Sequence, residues 1–226
     1  MSDYEIITVN WQPKQTAIWL HYVEKNCPDA KVYTIPDDKP VPWCWSGGKI
    51  NCFAWPFETK RVIYLDTDTL VTRDLGFVFD EMQGACIGLS SEIEIFKFHI
   101  TMRPQVEKFG KRGYEYNWPP CAFSSGMMIL KGYDAAALYA GWLRTMLWPP
   151  FLELFGKHTL ADEIGLGLWL AHDLESADDV WHIPVEVHGN VLGGRTHFGK
   201  VETPAVIHYH KEARLRKAGL GKWLDM

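Results

Sequence analysis

Two aspartates, Asp66 and Asp68, stand at the end of an apolar, β-branched and aromatic run, Val62-Ile63-Tyr64-Leu65, within the stretch RVIYLDTDTLVT from Arg61 to Thr72. In an extended segment residues i and i+2 point the same way, with Cα atoms roughly 6 to 7 Å apart. Two carboxylates so placed can converge on one hard divalent cation, which favours oxygen ligands. The carboxyl end of a buried parallel strand is also where open α/β folds place their ligands. The competing reading makes Asp66 a strand end and Asp68 part of a turn. The position of the pair, at the end of the most strand-like run in the chain, favours a site.

The elements that must position this pair are legible from pattern. Glu5–Val9 predicts an opening strand, 14–26 a helix with apolar residues at helical spacing, and Lys31–Ile35 a second strand, so the first third alternates β-α-β as a parallel sheet requires. Gly47-Gly48 precedes a short helix over 49–57, stopped by Pro56. After the central strand, Asp74 is the expected N-cap of a helix over 75–82, and 85–89 is a short strand. Residues 92–116 read as an irregular or partly helical excursion at the edge of the site. Ser124-Ser125-Gly126 introduces a strand over 127–130, and 133–147 is an amphipathic helix ended by Pro149-Pro150. Ala161-Asp162-Glu163 opens another helix despite Gly165 and Gly167, which cost stability in a helix interior. Late strands are expected over 180–183 and 205–209, with a glycine-rich loop over 189–199 between them. The segment 211–226 is a basic, helical tail. No repeat or linker divides the 226 residues, so one domain is expected over 1–226.

Composition narrows the function. The chain is 47% hydrophobic and 23% charged, as expected for a globular protein with a full core. A net charge of −5 argues against nucleic acid as a partner, because nucleic-acid binders carry a basic footprint. Five widely spaced cysteines with no CxxC pair read as reduced thiols. No apolar run approaches the ~18 residues of a membrane span, and the N-terminus lacks a signal-peptide pattern, so a cytoplasmic location is expected. Eleven tryptophans are the compositional oddity, with Trp43, Trp45 and Trp55 ahead of the central strand. Most are expected in packing, and a few near a cavity mouth are suited to stack on a base or sugar ring.

Four motifs in order resemble the GT-A nucleotide-sugar glycosyltransferases, and within them family 8, the glycogenin and bacterial galactosyltransferase group. GGKINCFAWPFETKRVIYLDTDTLVTRDL (47–75) looks like that family's lysine-bearing helix, apolar strand, Asp-x-Asp and following Asp-Leu. FSSGMMIL (123–130) is similar to its Phe-Asn-Ser-Gly strand, ADE (161–163) to its Asp-Gln helix start, and AVIHYHK (205–211) to its late strand ending in a metal-binding histidine. The resemblance implies an α/β fold of GT-A type, with a Rossmann-like, mostly parallel central sheet flanked by helices. It also implies that Asp66, Asp68 and His208 hold a divalent cation bridging a nucleotide diphosphate, with His210 the competing candidate for the histidine. An imidazole ligand tilts such a site toward Mn²⁺ over Mg²⁺.

Carried over residue by residue, Thr8, Val9 and Asn10 match the base and ribose end, and Thr67 lies between the two acids. Lys49 matches a lysine near the phosphates; its alternative is a solvated helix lysine. Ser125 and Gly126 match residues that let backbone approach the donor sugar. Asp162 matches an aspartate on the sugar hydroxyls, and its alternative is an N-cap. The sequence departs from the family at Ser124 (for Asn), Glu163 (for Gln), Gly167 (near a common Asn) and Lys211, which occupies a glycine position in the C-terminal motif. Lys211 or Lys222 then becomes the substitute cation over the diphosphate. The short chain implies a reduced acceptor-binding extension.

The expected reaction is transfer of a hexose from a nucleotide-diphosphate sugar, a UDP-sugar foremost, to a glycan or other hydroxyl acceptor, with retention implied by the resemblance. Two alternatives stand beside it. A non-catalytic relative would bind nucleotide sugar or glycan without transfer. A haloacid-dehalogenase-type phosphohydrolase would use Asp-x-Asp as nucleophile and acid, but that motif sits on the first strand of its fold.

Overall fold

The computed structural model describes residues 3–44, 46–90, 107–118, 120, 123–156, 158 and 160–225. Its central sheet has six strands in the order β2-β1-β3-β6-β5-β7. These are β1 (Tyr4–Asn10), β2 (Ala30–Pro36), β3 (Arg61–Leu65), β5 (Ile87–Ser90), β6 (Ser124–Lys131) and β7 (Val180–Ile183). The pairs β1/β2, β1/β3 and β5/β7 are parallel, whereas β6 runs antiparallel to both β3 and β5. The mostly parallel sheet expected from the sequence is therefore present, interrupted at β6.

Alternation along the strands feeds both faces. Ile7, Val9, Val62, Tyr64, Met128 and Leu130 face one core layer with Trp142 and Trp169; Ile6, Ile63, Leu65, Met127 and Ile129 face the other, with Trp19 and Val23. The helix α1 (Pro13–Asn26) begins at a proline, whose fixed φ suits the first turn, and stops ahead of Pro28. The helix α3 (Ala135–Leu147) is capped by Asp134, whose carboxylate accepts from the Ala136 amide at 2.9 Å. The helix α5 (Ala161–Asp173) packs against it.

A second sheet, ordered β4-β10-β8-β9, contains β4 (Thr69–Val71), β8 (His188–Leu192), β9 (Arg195–His197) and β10 (Val206–His208). Its core joins Leu70, Val191, Ile207 and Tyr209 to Ile18 and Tyr22 of α1 and to Leu215 of α6 (Glu212–Lys217). The chain passes from one sheet to the other between β3 and β4, so Asp66-Thr67-Asp68 is the crossing point.

Several local expectations need correction. The glycine-rich stretch 189–199 is not a loop: it forms the β8–β9 hairpin, with Leu192 opposite Arg195 and Gly193-Gly194 at φ +60° and +81°. Two consecutive positive φ values are what a type I′ two-residue hairpin turn demands, and glycine supplies both without strain. Pro149-Pro150 ends α3 but also starts a new helix, α4 (Pro149–Phe155). Asp74 does not cap a helix over 75–82; it accepts from the Gly76 amide at 2.7 Å, and the helix α2 is only Val78–Glu81. The 49–57 helix is a 3-10 helix, Gly47–Ala54. The basic tail divides into α6 and a 3-10 turn, Gly221–Leu224. Residues 92–106 of the expected 92–116 excursion, together with Trp45 and Cys121, lie outside the described residues. Within the described remainder, Phe109 is fully buried against Trp148, Phe151 and Phe155. Cys27, Cys44, Cys52 and Cys86 are free thiols, and no helix among the described residues is long and apolar enough to cross a membrane.

The α3–α5 contact explains the glycines that helix propensity disfavours. A Cβ on Gly165 would sit 2.7 Å from Met146, and one on Gly141 would sit 2.1 Å from the Trp169 ring. For Gly141→Ala, about 1 to 3 kcal/mol of overpacking opposes the roughly 1 kcal/mol that alanine gains in a helix interior. Packing wins here because the obstacle is a rigid, buried indole. Urea unfolding should show a lower midpoint for Gly141→Ala than for the parent; an equal or higher midpoint would show that Trp169 moves aside.

Candidate functional site

The carboxyl ends of β1 and β3, the start of β6 and the end of β10 meet at one edge of the central sheet. A cavity of about 410 Å³ opens there. Its floor is Tyr64, Asp66, Thr67 and Asp68, and Lys49 closes the back. Trp11, Gln12, Gln15 and Asp37 form one wall, with His210, Lys211 and Glu212 on the other.

Lys49 leaves the 3-10 helix Gly47–Ala54 with its ammonium turned inward, and the residue is only 8% exposed. Its Nζ lies 3.2 Å from Asp66 Oδ1, 3.3 Å from Asp66 Oδ2, 2.9 Å from Ser125 Oγ and 3.5 Å from Asp162 Oδ2. Burial alone would lower the lysine's pKa, but the Asp66, Asp162 and Glu163 carboxylates outweigh it and raise the pKa above the ordinary value. Lys49 is therefore a fixed cation, not the solvated helix lysine of the alternative.

The same network locates the acids at the start of α5. Ser125 Oγ donates to Asp162 Oδ2 at 3.1 Å, and the Ser125 amide donates to Glu163 Oε1 at 3.1 Å. Asp162 is 3% exposed and lies inside the helix, whose cap position is Leu160. The N-cap alternative for Asp162 is thus replaced by an ion pair with Lys49, which the positive end of the helix dipole also favours.

Asp66-Thr67-Asp68 is not a straight extension of the strand. The Thr69 amide and hydroxyl both donate to the Asp66 carbonyl, at 3.2 and 2.7 Å, closing a turn at the sheet crossing. The two carboxylates consequently engage different partners. Asp66 takes Lys49 and the Tyr64 hydroxyl, which donates to Oδ1 at 2.5 Å, while its amide is held by the Gly126 carbonyl. Burial beside Asp66 pushes the Tyr64 phenol well up, so it stays protonated as a donor. Asp68 Oδ1 instead faces His208 Nε2 at 3.2 Å. Burial would raise the Asp68 carboxyl, but the His208 imidazole pulls it down to about 2.

His208 ends β10, buried and stacked between two other histidines. His210 lies 3.9 Å away between ring centroids, and His188 lies 5.4 Å away. Burial, then the neighbouring His208, lowers His210 to about 3; the same causes in the same order hold His188 well below the usual histidine range. His188 Nδ1 is hydrogen-bonded to Ser90 Oγ. A Cβ on Gly126 would fall 2.5 Å from His208 Cε1, so this strand start must be glycine for the imidazole to lie where it does. Asp68, His208 and His210 together offer one carboxylate oxygen and two ring nitrogens within 4.8 Å of one another, a donor set suited to a divalent cation.

Other expected residues divide. Val9, Thr67 and Lys211 line the cavity. Thr8 is buried, donating to the Leu65 carbonyl at 2.6 Å, and Asn10 accepts from Thr16 at 3.0 Å; neither lines the cavity. Ser125, Gly126 and Asp162 stand behind the floor, and Lys222 lies over Trp223 away from it. Sequence reasoning missed Trp11, Gln12, Gln15, Asp37, Tyr64 and His188. A usable signal existed for half of that wall, because Trp11 and Asp37 directly follow parallel strands, where such folds bind ligands. For His188 there was none.

No known family's sequence profile matches the chain, and no curated protein matches it by sequence. Solved structures do. The glycosyltransferase GlyE of Streptococcus pneumoniae TIGR4 aligns with a TM-score of 0.59 at 10% identity, over 100% of this chain and 61% of that one. The bifunctional glycosyltransferase WbbM aligns with a TM-score of 0.57 at 10% identity, over 92% of this chain but only 45% of its own. The galactosyltransferase LgtC, solved with donor and acceptor sugar analogues, gives 0.54 at 13% identity over 99% and 96%. The Asp pair follows β3 rather than the first strand, contrary to the phosphohydrolase alternative.

The Lys49 cluster generates a stability prediction. Lys49→Met strands Asp162 in a buried site, and breaking such a pair costs about 3 to 5 kcal/mol. The lower end is expected because Asp66 reaches the cavity. Lys49→Met/Asp162→Asn should recover part of the loss in urea unfolding at pH 7. A single variant within about 1 kcal/mol of the parent would refute the role of this ion pair. With the cluster at the carboxyl edge of its central sheet, the chain has the GT-A fold of these glycosyltransferases.

Proposed function

We propose that the chain is a metal-dependent glycosyltransferase moving a hexose from a nucleotide-diphosphate sugar, a UDP-sugar foremost, to a hydroxyl acceptor such as a glycan, with retention at the anomeric carbon. The observation that carries this is the crevice itself: within a GT-A fold, a buried ammonium and the Asp-x-Asp turn line one cavity, and a strand-end histidine, buried behind the turn, faces Asp68.

Asp68 and His208 hold the cation in this reading, with Asp66 beside them. The cation, Mn²⁺ in preference to Mg²⁺, supplies Lewis-acid stabilisation of the negative charge that develops on the departing diphosphate. The protein's own residues do the rest. Lys49 at the back and Lys211 on the wall bring positive charge to the cavity, where it stabilises the leaving group. Trp11, with the Lys39 ammonium 5.3 Å from its ring centroid, stands beside the Gln12, Gln15 and Asp37 side chains, a wall suited to a base and ribose. Ser125 and Asp162, tied to Lys49, set the sugar end, and Gly126 lets backbone come close. Among the described residues neither floor carboxylate stands free as a nucleophile: Asp66 is committed to Lys49 and Tyr64 and Asp68 to His208, which accords with front-face transfer without a covalent intermediate.

Ligand binding should register as thermal stabilisation. A UDP-sugar with Mn²⁺ at a hundredfold excess over Kd is expected to raise Tm by roughly 5 to 10 °C. Asp68→Ala should remove the metal-dependent part of that shift. A panel of nucleotide sugars identifies the donor, and no shift with any member in the presence of Mn²⁺ would sink the proposal. Binding without transfer or donor hydrolysis would point instead to the non-catalytic relative.

A further inference from the structure

We propose that His210 is a cation ligand alongside Asp68 and His208, making a site of two imidazoles and one carboxylate that selects transition-metal ions over Mg²⁺. The inference rests on the assignment of Asp68 and His208 as metal-holding residues above. It adds a ligand that the family resemblance does not supply, since there His210 stood only as a substitute for His208.

Three observations converge on His210. First, one of its ring nitrogens belongs to the trio of ligand atoms within 4.8 Å, and the residue lines the open cavity. Transition-metal bonds to nitrogen and oxygen of about 2.0 to 2.2 Å bring neighbouring ligand atoms to roughly 3 to 3.5 Å, which small side-chain rotations achieve. Second, His210 adopts φ +57°, in the left-handed region that non-glycine residues rarely occupy. A continued strand would keep residues 208 and 210 roughly 6 to 7 Å apart; the left-handed turn brings the rings to 3.9 Å, nearly parallel at 29°. Backbone conformations of this kind persist where the surroundings or the function require them. Third, the Nε2 atom of His210 is buried with no hydrogen-bond partner among the described residues. Buried polar atoms are nearly always partnered, and a ligand position on a cavity wall accounts for one that is not.

Asp66 does not compete for this role, because both its oxygens lie within 3.3 Å of the Lys49 ammonium. The site is therefore richer in nitrogen than an Asp-x-Asp floor alone. Mg²⁺ prefers oxygen ligands in strict octahedral geometry, whereas imidazole suits Mn²⁺, Co²⁺ and their neighbours progressively better.

The test uses the nucleotide-free full chain and metal alone. Calorimetric titration should show Co²⁺ and Mn²⁺ binding at least about tenfold more tightly than Mg²⁺. His210→Asn keeps a residue that tolerates the left-handed backbone. It should weaken Co²⁺ at least about tenfold while changing Mg²⁺ affinity far less. Pulsed electron paramagnetic resonance of the Mn²⁺-loaded protein should detect two coordinated imidazole nitrogens in the parent and one in the variant. The parent's nitrogen count decides the matter even if the variant folds poorly. One nitrogen in the parent, or unchanged Co²⁺ affinity in His210→Asn, overturns the role of His210 while leaving Asp68 and His208 standing. Failure of the parent to bind any of the three ions overturns both.

Discussion

The Lys49 ammonium is the point on which the site's geometry turns. It is buried, its pKa is raised by the carboxylates around it, and it contacts Asp66 from the end of β3, Ser125 from the start of β6 and Asp162 from the first turn of α5. Those contacts join segments separated by 17, 76 and 113 positions, the last read directly from the numbering of Lys49 and Asp162. A charge so far from water is tolerated only with partners of opposite sign and good geometry. Each element must therefore arrive in register for the others to be satisfied. The same contact turns Asp66 inward, which leaves Asp68 to face the second sheet.

That second sheet exists at this place because the chain changes sheets inside the Asp-x-Asp turn. β3 ends at Leu65 and β4 begins at Thr69, and β4 then pairs with β10, with Thr69 opposite His208. The Tyr209 amide donates to the Asp68 carbonyl at 3.0 Å, fastening the turn to the strand end. Position 126 must then be glycine, because any Cβ there would enter the His208 ring. A three-residue turn, one strand pairing and one missing side chain together fix the imidazole against the carboxylate.

The legible parts of this arrangement were local. β3 reads from its β-branched and aromatic run, β1 and β2 from their alternation with a helix, and His208 from its place at the end of a late apolar stretch. The illegible parts depended on distant partners. Lys49 in sequence is a lysine beside two glycines, and only the acids of β3 and α5 distinguish it from a solvated one. Asp66 and Asp68 look alike along an extended chain, and the turn that parts them is stabilised by Thr69, whose hydrogen bonds no spacing rule announces. The glycine-rich stretch reads as a loop because a Gly-Gly hairpin and a loop share a composition; the cross-strand pairing of Asn190 with His197 decides between them. Pro149-Pro150 reads in sequence as a stop, and it is one, but proline is equally suited to a first helical turn and starts the next helix as well.

The charge balance of the crevice bears on how an anionic donor can enter it. Asp66, Asp68, Asp162 and Glu163 gather around the floor, with Asp37 and Glu212 on the walls, against Lys49 and Lys211. Two unit charges of like sign 4 Å apart repel by about 4 kcal/mol at an effective dielectric constant of 20, so a bare diphosphate would meet a net negative surface. Glutamate at position 163, where the resembled family carries glutamine, deepens that surplus and is itself one of the groups raising the Lys49 pKa. Under the proposed function, a divalent cation on Asp68 and the histidines is therefore more than a catalyst of bond breaking. In that reading it would also be the charge that lets a diphosphate occupy the cavity, and donor binding and metal binding would be thermodynamically coupled.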